Sequence, residues 1–358
     1  MPSAAADIAA CQYVCISGAG LKSLAFLGAL HALERHFGAQ TGVEWRAHLR
    51  DKVRGYAGAS AGAAVALALC CGLSAAEAEE GLAPLLRDVR ALVPSPDVGV
   101  LWERYGIERG EVLRGIVRYV LRRGGLSEET TFARMRALTR VHFCCSGTNL
   151  NVGTSHLFDA DRTPHMRVAD AVYISMCVPL LFAPGEHEGD LYVDGAMTCN
   201  LPVEAFPHAG DGEVFVWHMP PQTRTAIHRL PGFVFAMGNI GFAAQAERDA
   251  RIVRTARAAL RFPLSPPLRA LAAMDLTMDA ETVARLRASG YACALQALVP
   301  RLTEAVHALL AITAAWAQSE AGDAVPAPAL GAPRERVVTR PGSRHPSLAS
   351  VRDAPSPA

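Results

Sequence analysis

The apolar positions of this chain fall into short strand-like runs alternating with longer stretches at helical spacing. Gln12-Tyr13-Val14-Cys15-Ile16 is a β-branched and aromatic run that predicts a first buried strand. Ser17-Gly18-Ala19-Gly20-Leu21-Lys22 follows as a glycine-rich loop. From Ser23 to Phe37, leucines at 24, 27, 30 and 33 recur at helical spacing. The same order returns downstream. Val53-Arg54-Gly55-Tyr56-Ala57 predicts a strand, Gly58-Ala59-Ser60-Ala61-Gly62 a tight turn, and the small or apolar residues from Ala61 to Cys71 a buried helix. Strand, glycine turn, helix, twice over, argues for an α/β layer around a largely parallel sheet.

Beyond these units, Ser74–Leu92 and Arg109–Arg122 predict amphipathic helices, and Glu129–Leu138 a helix capped by Thr130 or Thr131. Val141–Cys145 reads as a strand, Met166–Met176 as a helix stopped by Pro179, and Leu191–Val193 as a short strand ending at Asp194-Gly195. Glu213–Trp217 is the last strand expected, with helices only from Phe233 to about Ser319. Residues 321–358 hold seven prolines and few large apolar side chains, the composition of a disordered tail. The expected organisation is a lead at 1–11, a catalytic domain at 12–217, a helical C-terminal extension at 218–320 packed on it, and the tail.

Composition narrows the function. With 51% hydrophobic residues, 19% charged and a net charge of +1 over 358 residues, the chain is globular and offers no electrostatic case for nucleic acid. The nine cysteines sit mostly in apolar runs, without the spacing of a zinc site, so they read as buried hydrophobes and point to a reducing compartment. Met1–Ala10 carries Asp7 and no basic stretch, unlike a signal peptide, and the longest apolar run, Ala305–Ala317, is too short for a membrane span. A cytoplasmic protein, with possible peripheral membrane contact, is expected. Only Lys22 and Lys52 among 35 basic residues are lysine, which draws attention to Lys22 in the glycine loop.

The turn at 58–62 has the form of a nucleophile elbow, which exposes a reactive serine, here Ser60. A serine hydroxyl needs a base and needs donors for the oxyanion of a tetrahedral intermediate. Asp194, at a strand's end before glycine, is the base candidate; an ordinary Asp-Gly turn is the alternative. The amides of Gly18, Ala19 and Gly20, with that of Ala61 after the serine, are candidate donors. Lys22 stands ready either to assist with an anion or phosphate or simply to be a solvated surface lysine. A phosphate-binding P-loop fails because Leu21 and Ile16 stand where it needs glycine, and a dinucleotide motif fails because Ser23 replaces its last glycine. A Ser–acid–His triad through His208 or His218 remains open, although Ser60 comes early for that arrangement.

Three blocks, SGAGLKS at 17–23, GASAG at 58–62 and DGA at 194–196, together resemble the patatin-like phospholipase family. TNLNVG at 148–153, VADAVYISMCVPLLFAP ending at Pro184, and DGAMTCNLPVEAF from Asp194 resemble further segments of that family, over about residues 12–217. The resemblance implies a three-layer α/β/α fold with a nucleophile elbow. It implies a Ser60–Asp194 dyad without histidine, an oxyanion hole at residues 18–20 beside Lys22, an acyl-enzyme, lipid ester substrates at a membrane surface, and neither metal nor cofactor. Ala19, Ser23 and Cys177 depart from the family pattern, and Ala19 and Ser23 motivate a second possibility, a lipid-binding module without catalysis. Ala91–Trp102 and Leu230–Phe242 are apolar enough either to dock on a bilayer or to join the core.

Overall fold

Tyr13–Ile16 (β1) and Gly55–Gly58 (β2) run parallel, Tyr13 opposite Gly55 and Ile16 opposite Gly58. In the computed structural model, which describes residues 4–94, 96–210, 212–220, 230–272 and 274–299, eight strands form the central sheet. The other strands, in chain order, are Gly106–Glu108 (β3), His142–Asn149 (β4), Thr154–Phe158 (β5), Leu180–Phe182 (β6), Gly185–His187 (β7), Asp190–Asp194 (β8), Val214–His218 (β9) and Ala258–Arg261 (β10). The sheet order is β10-β9-β1-β2-β4-β8-β7, with β5 also paired to β4. The first five of these are mutually parallel; β8 and β5 run antiparallel to β4, and β7 to β8. A separate pair joins β3 to β6.

Alternation of side chains divides the core. Val14, Ile16, Tyr56, Phe143, Phe215 and Trp217 face a large cluster shared with the helices Leu24–Thr41, Ala61–Cys70, Glu111–Arg123, Val168–Met176 and Ala280–Leu298. Cys15, Ala57, Cys144 and Val216 face the opposite side, against Leu201, Phe206 and Val253. The result is the expected α/β/α layering, with both faces of the parallel strands covered. Trp217, Phe26 and Phe262 meet edge-on or tilted at 4.9–6.4 Å between centroids, each fully buried, a contribution of about 1.5–3 kcal/mol per side chain. The helices Leu24–Thr41 and Ala280–Leu298 cross backbone to backbone: a Cβ on Gly28 would lie 1.8 Å from the Arg287 carbonyl oxygen, and one on Gly290 1.7 Å from that of Ala25.

Three expectations change. Glu213–Trp217 is not followed by helices alone, because Ala258–Arg261 adds a further parallel strand at the sheet edge beside β9. Ser74–Leu92 is not one helix: it is Ala75–Gly81, Ala83–Arg87 and a 3-10 turn at Val89–Leu92. Pro84, without an amide proton, sits in the first turn of the second piece, and Asp88 caps the third. Of Ala91–Trp102, Leu92, Val93 and Val100 are buried while Trp102 is 82% exposed, so this segment divides between core and surface. Leu230–Phe242 begins the helix Leu230–Thr255, with Ile240 exposed. Thr131 is the N-cap of Phe132–Thr139, accepting from the Arg134 amide.

All nine cysteines are unpaired. No described helix is long and apolar enough to cross a membrane, and no described cluster of His, Cys, Asp and Glu has the arrangement of a metal site. The described residues form one compact unit. The expected tail at 321–358, with Ala305–Ala317, lies outside the described residues.

Candidate active site

The elbow is built by close backbone approach. A Cβ on Gly58 would lie 2.5 Å from the Gly62 carbonyl oxygen, and one on Gly62 2.4 Å from that of Ser17, so neither position accepts a side chain. Between them the chain turns so sharply that Ser60 adopts φ 52°, ψ −134°, a left-handed conformation that costs a non-glycine residue about 1–3 kcal/mol. The turn is held by the Ala59 amide, which donates to the Ile16 carbonyl at 3.2 Å, and by the Ser60 amide, which donates to Ser175 Oγ at 3.0 Å. The helix Ala61–Cys70 then starts at once, directing its N-terminal amides at the serine.

Asp194 arrives from the other half of the sheet. It ends β8, opposite Gly147 of β4. Its amide donates to the Cys177 carbonyl at 3.0 Å, and its carbonyl accepts from Thr148 Oγ1 at 2.8 Å. This fixes the side chain on Ser60: Ser60 Oγ donates to Asp194 Oδ2 at 2.6 Å, and the Ala196 amide donates to Oδ1 at 2.9 Å. The carboxyl is fully buried. Burial pushes its pKa up to about 7, against the two hydrogen bonds, which favour the charged form. A carboxylate poised near neutrality is well matched to taking a proton from a hydroxyl.

The glycine loop divides its roles. Ala19 has φ −152°, a negative value that its methyl tolerates, so alanine in the middle of the triplet does not strain the loop. Gly20 takes φ 53°, where glycine is at ease. Gly18 departs from its expected role as an oxyanion donor: its amide is taken by Asn200 Oδ1 at 3.0 Å. Its contribution is space, since a Cβ there would meet Ala196 Cβ at 2.8 Å and Ser60 Cβ at 3.1 Å. Among the described residues no protein acceptor takes the amides of Ala19, Gly20 or Ala61.

Lys22 is buried rather than solvated, at 3% exposure. Its Nζ donates to the Arg269 carbonyl at 3.1 Å and makes no ion pair among the described residues. Burial, then the nearby Arg269 charge, lowers its pKa to about 8. Among the described residues Lys22 hydrogen-bonds to neither Ser60 nor Asp194. His208 is exposed, and His218 is buried with its pKa lowered to about 4 by desolvation. Neither hydrogen-bonds to Ser60 or Asp194. Ser175, fully buried, and Asn200, half-buried, carried no expected role, although both lie in segments that resemble the family; for Ser175 a polar residue in an otherwise apolar run was the available signal.

An apolar cavity opens beside Ser60. Its walls include Leu24 and Leu27 from one helix, Ala64 and Ala68 from the helix after the elbow, and Val120 and Phe182. It offers space for an aliphatic chain and almost no polar partner along its length.

The family model "Patatin-like phospholipase" matches residues 14–207, and the chain belongs to this family of lipid acyl hydrolases. Among individual proteins, the chain is 26% identical over 219 residues to the uncharacterized protein R571 of Acanthamoeba polyphaga mimivirus, covering 60% of this chain and 69% of that protein. The crystal structure of VipD from Legionella pneumophila aligns with a TM-score of 0.47 at 18% identity, covering 81% of this chain and 67% of VipD. The type III effector ExoU, from Pseudomonas aeruginosa, aligns with a TM-score of 0.43 at 18% identity, covering 82% of this chain and 53% of ExoU. The chain therefore spans about half the length of ExoU.

Proposed function

We propose that this protein hydrolyses fatty-acyl esters of phospholipids or lysophospholipids through a Ser60–Asp194 dyad. The observation that carries the reading is the 2.6 Å hydrogen bond from Ser60 Oγ, at the wall of an apolar cavity, to a fully buried carboxylate. In this mechanism Asp194 takes the Ser60 proton as Oγ attacks the ester carbonyl. The developing oxyanion meets the open amides of Ala19, Gly20 and Ala61, reinforced by the N-terminus of the Ala61–Cys70 helix. Collapse of the intermediate breaks the ester C–O bond, and Asp194 returns its proton to the leaving alkoxide. Water then attacks the acyl-enzyme, Asp194 again taking the proton, and fatty acid leaves as Ser60 is restored.

The cavity supports an aliphatic acyl group as the part of the substrate held inside. The mouth would then face the lipid surface that supplies it. The catalytic unit is residues 12–217, with the helices Leu230–Thr255 and Ala280–Leu298 packed against it. The negative φ of Ala19 supports the hydrolase over a module that binds lipid without catalysis, because the methyl does not strain the loop. A fluorophosphonate probe tests the reading. Wild-type protein should carry the phosphonyl adduct on Ser60 and release fatty acid from a long-chain lysophospholipid. Absence of both, from folded protein, would refute it.

A further inference from the structure

The glycine loop is held by a hydrogen-bonded relay that begins at a buried acid outside residues 14–207. Asp249, on the helix Leu230–Thr255, is 1% exposed. Its Oδ2 accepts from Asn200 Nδ2 at 2.6 Å, and its Oδ1 accepts from Arg248 Nη1 at 3.3 Å. Arg248 also donates to the Leu201 carbonyl at 3.3 Å and pairs with Glu204, so the acid's surroundings are themselves tied down. Asn200 Oδ1 accepts from the Gly18 amide at 3.0 Å, and the Asn200 carbonyl shares that amide at 3.4 Å.

An asparagine amide has one acceptor end and one donor end. A carboxylate on one side and an N–H on the other leave it a single orientation. Asp249 therefore decides which end faces Gly18. Gly18 in turn lies against Ser60, and the two peptides that follow it carry the open amides of Ala19 and Gly20. A buried carboxylate is costly to keep unless its hydrogen bonds are made, and an apolar residue would fill the space more cheaply.

We propose that Asp249 is a positioning residue for the oxyanion hole: through Asn200 it fixes the Gly18 peptide and so aims the Ala19 and Gly20 amides. The proposal rests on the hydrolase reading above, but its first link, from Asp249 to the Gly18 amide, can be read without any turnover.

The test compares full-length wild type, Asp249→Ala, Asp249→Asn and Val253→Ala, the last a core truncation on the same helix that touches neither Asn200 nor the loop by hydrogen bond. Hydrogen exchange of a proteolytic fragment spanning Gly18 reads the first link. Exchange there should quicken about tenfold in Asp249→Ala and stay near wild type in Asp249→Asn and Val253→Ala. With a long-chain lysophospholipid, Asp249→Ala should lose about 10- to 100-fold in kcat with KM within about twofold, the loss expected when oxyanion donors are mis-aimed. Asp249→Asn keeps an acceptor and should retain kcat within about threefold. If Asp249→Ala does not fold, Asp249→Leu fills the space without an acceptor and takes its place. Unchanged exchange at Gly18 in the alanine or leucine variant overturns the proposal. So does a kcat loss shared equally by Asp249→Asn or by Val253→Ala at matched melting temperature. If wild type itself hydrolyses no ester, the hydrolase reading fails, and the exchange result alone decides whether the relay holds the loop.

Discussion

Replacing Asp194 by asparagine should abolish catalysis and, at alkaline pH, stabilise the fold. The carboxyl is fully buried, and its pKa stands at about 7 in the folded protein against 3.8 when exposed. A carboxyl with a raised folded pKa keeps its proton in the native state after the unfolded chain has lost it. Its contribution to stability is therefore greatest below pH 4, declines as pH rises between the two pKa values, and levels off above the folded one. At about 1.4 kcal/mol per unit over roughly three units, the decline amounts to about 4 kcal/mol. Asparagine does not ionise and avoids that loss. It keeps one carbonyl acceptor where the carboxylate offers two oxygens, to Ser60 Oγ and the Ala196 amide, and the lost bond costs about 1–2 kcal/mol. The balance is a gain of about 2 kcal/mol at pH 8, reversing to a small loss near pH 4. Urea unfolding of wild type and Asp194→Asn at pH 4, 5.5, 7 and 8.5 measures it. The difference in unfolding free energy should grow with pH in the variant's favour and flatten above 7. A difference independent of pH, or one that grows in the wild type's favour, would refute the claim that this carboxyl is held near neutrality by burial.

Other consequences follow from the same geometry. The kcat/KM of wild type should climb with pH through about 7, as Asp194 ionises, and a flat profile from pH 5 to 9 would contradict its assignment as base. Ala19→Gly, at a φ that alanine already tolerates, should leave kcat within about twofold and lower stability by roughly 0.5–1 kcal/mol through backbone entropy; a large gain in kcat would show that the methyl obstructs the hole. Gly18→Ala forces a methyl onto Ser60 and Ala196 and should cost about 1–3 kcal/mol in thermal unfolding along with most of the activity. Ala68→Phe fills part of the apolar cavity and should shift preference toward shorter acyl chains in a chain-length series, whereas an unchanged series would mean that the chain lies elsewhere.

Much of the sheet was legible because its strands are compact runs bounded by glycine. β1, β2, β4, β8 and β9 all appear where the apolar pattern places them. Ala258–Arg261 was hidden because alanine, leucine and arginine favour helix in isolation; its strand conformation comes from pairing with β9, a tertiary effect. Thr154–Phe158 is short and polar, and pairs only because β4 folds back on it. The break in Ser74–Leu92 did have a local signal, Pro84, which outweighs an amphipathic pattern. At the site, Ser60, Asp194 and the glycine loop stood out because elbow and Asp-Gly turn leave local marks. The φ of Ala19 could not be read from its neighbours. Nor could the capture of the Gly18 amide by Asn200, 182 residues away, or the burial of Lys22 under the Arg269 carbonyl. These depend on how distant segments meet, for which the sequence carries no periodic signature.

The proposed chemistry has Ser60 acting with Asp194 and without a histidine. Fatty-acid release from a long-chain lysophospholipid, measured side by side for wild type, Ser60→Ala, Asp194→Asn and His218→Ala, tests it directly. The first two variants should lose on the order of 10⁴-fold, and His218→Ala should stay within a few-fold of wild type. Retained activity in Asp194→Asn together with an inactive His218→Ala would contradict it.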